Sequence, residues 1–267
     1  WSIAGEVRKF QTEGLSRVDA NIQGDVRKFQ TDAVRVSDIA IAGEVSKVQA
    51  DDWLGGGLTV GEGVRKLDIR GPVRGEFELN DANRGDGPRK VSIRGDASDG
   101  FLNWAGDAGK IDIDGDVTSF DIDGGSAKAF SANNVQGSNF SFAEGLRRFD
   151  VDSYTGGGEF FGGELGRATI RGDFEGEFVA LTTDSLSIRG DAAFSLYQAG
   201  TADQISIRGG LRDAEMTWFR GVAGNSVNAD SVGSFNVGGT VSNSTLTLPT
   251  SAGSLSFGGV IDSTITV

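Results

Sequence analysis

Asp112-Ile113-Asp114-Gly115-Asp116, followed by Asp121 and Asp123, is a dense run of carboxylates. Alternate residues of a strand share one face, and clustered carboxylates are the ligands that Ca²⁺ prefers. The competing reading puts Asp114 beside Arg94 in a ladder of outward residues and leaves Asp112 as solvated surface. The Gly-Gly-x-Gly-x-Asp steps of calcium-binding nonapeptide repeats are absent, so no metal site is assigned. Glu76, Glu78, Asp81 and Arg84, then Arg212, Asp213 and Glu215, carry the groups a polysaccharide lyase or hydrolase would use. They sit at two short insertions, near Asn80–Pro88 and Asp213–Asn225, and form no convergent set. Trp104, Tyr154, Tyr197 and Trp218 have rings that can stack on sugars, but filling corners is the favoured reading. Thr245/Thr247 and Thr264/Thr266 repeat over too few coils for an ice-binding face.

Composition removes more chemistry than it offers. The chain has no His and no Cys. That excludes Ser-His and Cys-His catalysis, His and thiolate metal ligands, and disulfide scaffolding. The net charge of −13 disfavours nucleic acid and anionic membranes as partners, because both select basic surfaces. No apolar run approaches the roughly 18 residues of a membrane span. The expectation is a protein that is not an enzyme, with no catalytic residue and no cofactor. Trp1 in first place and a single methionine, Met216, point to a signal peptide or upstream segment removed before residue 1.

The elements that must position any site are set by a repeat. Arg89-Lys90-Val91-Ser92-Ile93-Arg94-Gly95 recurs as RKLDIRG from Arg65, GKIDIDG from Gly109, DSLSIRG from Asp184 and DQISIRG from Asp203. The first apolar residue of each beat falls at Phe10, Phe29, Val48, Leu67, Val91, Ile111, Phe130, Phe149, Ala168, Leu186, Ile205, Phe235 and Leu255. Most steps are 18 to 20 residues. The step to Val91 is 24, and the step from Ile205 to Phe235 is 30, long enough to hide a partial coil at Val227. A second apolar pair follows ten and twelve residues on, as at Ile39/Ile41, Leu58/Val60 and Phe77/Leu79. Spacing of two within each cluster is strand alternation, and no segment carries a helical stripe. Glycine recurs four residues after the beat, as at Gly71, Gly95, Gly115, Gly190 and Gly209, which predicts a corner with a tight or left-handed backbone.

The predicted fold is all-β: a single-domain parallel β-helix, or β-solenoid, of about 13 coils with a ~19-residue repeat over residues 1–267. Inward residues stack in columns. Outward residues form ladders, one holding Lys66, Lys90, Lys110, Arg148 and Arg167, another Arg70, Arg94, Asp114, Asp152, Arg171, Arg189 and Arg208.

The last coils, GSFNVGGTVSNSTLTL from Gly233 and GSLSFGGVIDSTITV from Gly253, resemble repeats of large Gly-, Ser- and Thr-rich bacterial exoproteins. That resemblance implies a β-solenoid with a surface, adhesive or structural role outside the cell. The fold is also similar to that of bactofilins, cytoplasmic β-helical polymers. Both ends read as uncapped: Trp1, Ile3 and Val7 already belong to a coil, and Leu255, Phe257, Ile265 and Val267 end on strand residues. Open strand edges recruit other strands. Either the segment is cut from a longer solenoid or its coil edges meet end to end; the expectation taken is an extracellular or cell-surface protomer whose partner is itself, stacking head-to-tail into a filament or tube. Surface glycans, bound by a segment of an adhesin, are the alternative partner, and a carbohydrate-active enzyme is the third reading.

Overall fold

A computed structural model describes residues 1–79, 87–198, 200–218, 231–249 and 251–267. Among these there is no helix, strand takes 78%, and the sheet is all parallel, which makes the fold a β-solenoid of about 13 turns with ~19-residue spacing. Asp81, Arg84 and Val227 lie outside the described residues, as do the side chains of Tyr197 and Trp218. The chain divides into two compact units, Trp1–Asn133 and Asn134–Val267.

In the first unit the beat residues Phe10, Phe29, Val48, Leu67, Val91, Ile111 and Phe130 pair directly from coil to coil. From Phe29 onward each is 0% exposed. The period-two alternation puts Ala50, Ile69, Ile93 and Ile113 inward beside them. The second inward pair runs Ala20/Ile22, Ile39/Ile41, Leu58/Val60 and Phe77/Leu79, and continues as Leu102/Trp104, which meet Ile122 and Gly124 on the next coil. Each large side chain so buried contributes about 1.5–3 kcal/mol gross, before conformational entropy is subtracted. Leu67 pairs with Val91 without slippage, so the extra length of that step falls between Leu79 and Gly87.

In the second unit the column Ala168, Leu186, Ile205, Phe235 and Leu255 is likewise in register. Ile205 pairs directly with Phe235, so the long step contributes one coil rather than two. The core here is aromatic: Phe160 stacks on Phe178 at 4.9 Å between ring centroids, and Tyr154 lies 5.2 Å from Phe174. The Tyr154 hydroxyl donates to the Ser138 carbonyl at 2.8 Å, which satisfies the one polar atom of that buried ring.

The glycine corner differs from its expectation. None of Gly71, Gly95, Gly115, Gly190 and Gly209 has positive φ. Close approach of backbone explains the preference instead. A Cβ on Gly95 would lie 2.5 Å from the Gly71 carbonyl carbon, and one on Gly115 would lie 2.5 Å from both Gly95 and Asp96 Oδ1. The left-handed corner is a different one, three or four residues further on. There sit Arg17, Val36, Asp99 and Ser119 in the first unit, with φ of 54°, 48°, 51° and 49°. Asp213, Asn243 and Asp262 hold it in the second, with φ of 50°, 48° and 46°.

Coils are also tied by acidic side chains. Asp25 Oδ1 accepts the Glu44 N–H at 2.9 Å, Asp38 Oδ1 the Gly57 N–H at 2.8 Å, and Asp96 Oδ1 the Asp116 N–H at 3.0 Å. In the second unit Asp173 and Asp191 do the same for Asp191 and Gly210, at 2.8 and 2.7 Å. Each carboxylate thus takes a corner amide that no strand partner would satisfy.

Candidate functional site

One outward face of the first unit is a lysine ladder. Lys28 pairs with Lys47, Lys66 with Lys90, and Lys90 with Lys110. Pairing of Val48 with Leu67 sets Lys47 beside Lys66. The ladder stops where Lys110 meets Ala129. Lys66, Lys90 and Lys110 were legible in the sequence as one column. Lys47, Lys28 and Lys9, the last set beside Lys28 by the pairing of Phe10 with Phe29, extend it in the other direction.

Alternation puts a second outward column between the lysines and the arginines Arg70 and Arg94. It is Gln30, Gln49, Asp68, Ser92 and Asp112. Asp68 is buried at 6% exposure and collects three cations: Lys66 at 3.2 Å, Lys47 at 3.6 Å and Arg94 at 3.9 Å. Burial alone would raise its carboxyl. The Lys66 hydrogen bond and the charges of Lys66, Lys47 and Arg94 outweigh burial and hold it below its ordinary 3.8. Arg94 thus reaches Asp68, on the opposite side from Asp114. The second unit repeats the device at Asp150, which meets Arg148 at 2.7 Å and Arg171 at 2.6 Å.

Beside the lysine ladder lies a recess of about 500 Å³, bordered by Glu44, Glu62, Arg65, Arg89, Asp107, Gly109 and Lys128. Glycine makes the recess, because Gly109 has no side chain between Arg89 and Lys128 in their column. Arg65 is paired with Glu44, and Asp107 accepts the Ser126 hydroxyl at 2.6 Å. A second recess, of about 570 Å³, is bordered by Trp1, Asp19, Asn21, Asp38, Glu76 and Glu78. Glu76 and Glu78 are thus surface residues of the first unit, whereas Arg212, Asp213 and Glu215 belong to the second. Asp213 there accepts from the Asn243 amide at 2.5 Å.

The acidic run does not form a cluster. Asp112 pairs with Lys110 at 2.8 Å and accepts the Ser131 hydroxyl at 2.5 Å. Burial raises its carboxyl, and the hydrogen bonds from Lys110 and Ser131, with the charges of Lys110 and Lys90, lower it further than burial raises it. The Gly115 corner and the left-handed turn at Ser119 separate Asp112 and Asp114 from Asp121 and Asp123. Among the described residues no group of three or more Asp and Glu is placed to hold a metal ion.

Of the sugar-stacking candidates, Trp104 and Tyr154 are core residues, 2% and 0% exposed. Phe161 is an exposed ring, at 41%, whose neighbour one coil on is Val179. Sequence reading missed it because it directly follows Phe160, the inward member of that pair.

The coil faces at the two ends behave differently from the interior. Ile3 pairs with Ile22, Val7 bridges Val26, and Trp1 stacks on Phe10 at 5.3 Å while remaining 48% exposed. Leu255, Phe257 and Ile265 are half-buried, against 0% exposure for Phe235, Val237 and Leu246 one coil in. Val260, Ile261 and Val267 are 48%, 57% and 59% exposed. No helix among the described residues is long and apolar enough to cross a membrane. No protein-family model matches this chain, and neither a curated protein nor a solved structure matches it significantly.

Proposed function

We propose that this protein is a structural protomer whose coils add end to end, the coil at residues 251–267 of one copy pairing in parallel with the first coil of the next. What supports this reading is the mode of contact used throughout the fold: each coil adds to the last by parallel pairing in register, as Phe10 with Phe29 and Phe235 with Leu255. Contact between unlike faces does not close, so it propagates as a filament. The likeness of the last coils to bacterial exoprotein repeats supports a setting outside the cell or on its surface.

Sedimentation of the 267-residue chain over a concentration series, with electron microscopy of the same samples, tests the reading. Fibres one coil-stack wide and mass that rises with concentration are expected. Ile261→Lys and Val260→Lys, at exposed positions, should abolish fibres and leave the fold intact. A monomer at every concentration, or fibres indifferent to both substitutions, overturns it.

A further inference from the structure

The lysine ladder is a cost to the fold. Like charges directly opposite one another on neighbouring strands are destabilising, and here six lysines, from Lys9 to Lys110, follow one another from coil to coil. Acids on this face engage some of these cations and leave others without an ion pair. Asp68 serves Lys47, Lys66 and Arg94, Asp112 serves Lys110, Glu44 serves Arg65, and Asp51 serves Arg70. Among the described residues no acidic side chain makes an ion pair with Lys28, Arg89, Lys90 or Lys128. A chain with net charge −13 has nonetheless lined up these lysines in one column. Such a conflict with folding is expected where a surface has another task.

From this we infer that the face binds a linear acidic polysaccharide, laid along the direction in which coils stack. The ladder repeats a positive charge every ~4.8 Å, the separation of neighbouring strands. Its partner must therefore be an extended polyanion with closely and regularly spaced charges. Carboxylates of successive acidic sugars sit along Lys28, Lys47, Lys66, Lys90 and Lys110. Arg89 and Lys128, the two cations of the recess left over once Glu44 takes Arg65, grip one further carboxylate beside Gly109, against the opposing charges of Glu62 and Asp107. The guanidinium of Arg89 offers that carboxylate a two-pronged contact. A single-stranded nucleic acid is the less suitable polyanion, because it binds by stacking its bases on aromatic rings, and the three outward columns carry none.

The test uses the full chain and polygalacturonate, with neutral dextran and single-stranded DNA as the other probes. Calorimetric binding of polygalacturonate is expected, weakening linearly with the logarithm of salt, with none for dextran. Lys28→Gln with Lys90→Gln should weaken Kd at least about tenfold, while the denaturation midpoint stays level or rises because like charges have been removed. Arg89→Gln with Lys128→Gln should weaken it similarly. Absence of polygalacturonate binding, unchanged affinity in both double variants, or equal affinity for single-stranded DNA would each overturn the inference.

Discussion

Asp191 Oδ1 accepts the backbone N–H of Gly210 at 2.7 Å, one coil further along the second unit. The carboxylate does for the corner what a strand partner does for the sides. Removing it leaves an amide at a turn with water as its alternative partner. Asp191→Ala should therefore destabilise the second unit by about 1–2 kcal/mol. Asp191→Asn, which keeps an Oδ1 acceptor, should retain most of that. Urea denaturation midpoints for the two variants check the difference, and equal losses in both would show that charge rather than the hydrogen bond matters.

Acid should loosen the first unit through Asp68. Its folded value lies below its ordinary 3.8, because the three surrounding cations outweigh burial. The carboxylate's contribution is thus fully present above the unfolded value and is lost as pH falls through the folded one. Asp112 adds the same sign. Asp68→Asn should be less stable than the parent at neutrality, since Lys47, Lys66 and Arg94 then face one another unpaired. The two proteins should converge as pH drops below 3.8. Denaturation midpoints across that range read the convergence directly; a constant gap would mean that Asp68 acts through packing alone.

Most of the fold was legible because the beat and its register are the same thing in a parallel solenoid. Phe10, Phe29 and Val48 lie 19 residues apart and pair with one another. The long steps to Val91 and Phe235 also kept their register, since an excursion changes chain length without moving the columns. The corners were harder. Glycine at Gly95 and Gly115 answers a backbone approaching from the neighbouring coil, which local sequence cannot display. The true left-handed corner carries Arg17, Val36, Asp99 and Ser119, so no glycine marked it. Trp104 is buried, in line with the favoured reading of it, and its place two residues after Leu102, the spacing of Ile39/Ile41, is the signal that points it inward. Recurrent Gly-Asp pairs at Asp25, Asp96, Asp173 and Asp191 likewise announced the carboxylate-to-amide ties before their partners were known. The lysine ladder was visible as a column, but which of its cations make ion pairs emerges only when each neighbour is assigned.

Trp104 depends on the residue opposite it. Gly124 is its register partner on the next coil, and a Cβ there would fall inside contact distance of the indole ring carbons. The indole N–H meanwhile donates to the Ser126 carbonyl at 3.2 Å, which fixes the ring over that glycine. Gly124→Ala should cost about 1–3 kcal/mol through overpacking. Trp104→Phe in the same background should recover part of the loss, because a smaller ring frees the space. Additive losses in the double variant would show that ring and methyl do not meet.

Val36 offers a change in the opposite direction. It holds φ of 48° with its side chain 66% exposed, so a β-branched residue sits in left-handed backbone with little burial in return. The turn does not need that side chain. Ser37 fixes it instead, accepting the Val18 N–H at 3.1 Å and donating to the Arg35 carbonyl at 3.0 Å. The next coil already uses glycine here, with Gly55 at φ of 119°. Val36→Gly should therefore raise the stability of the first unit by about 0.5–1 kcal/mol, the strain relieved less the added entropy of the unfolded glycine. Val36→Asn, which tolerates the same region with a smaller entropic loss, should match or exceed it. A higher urea midpoint at unchanged slope is the expected reading, and a lower midpoint in both variants would mean that the Val36 side chain packs on the turn more than it strains it.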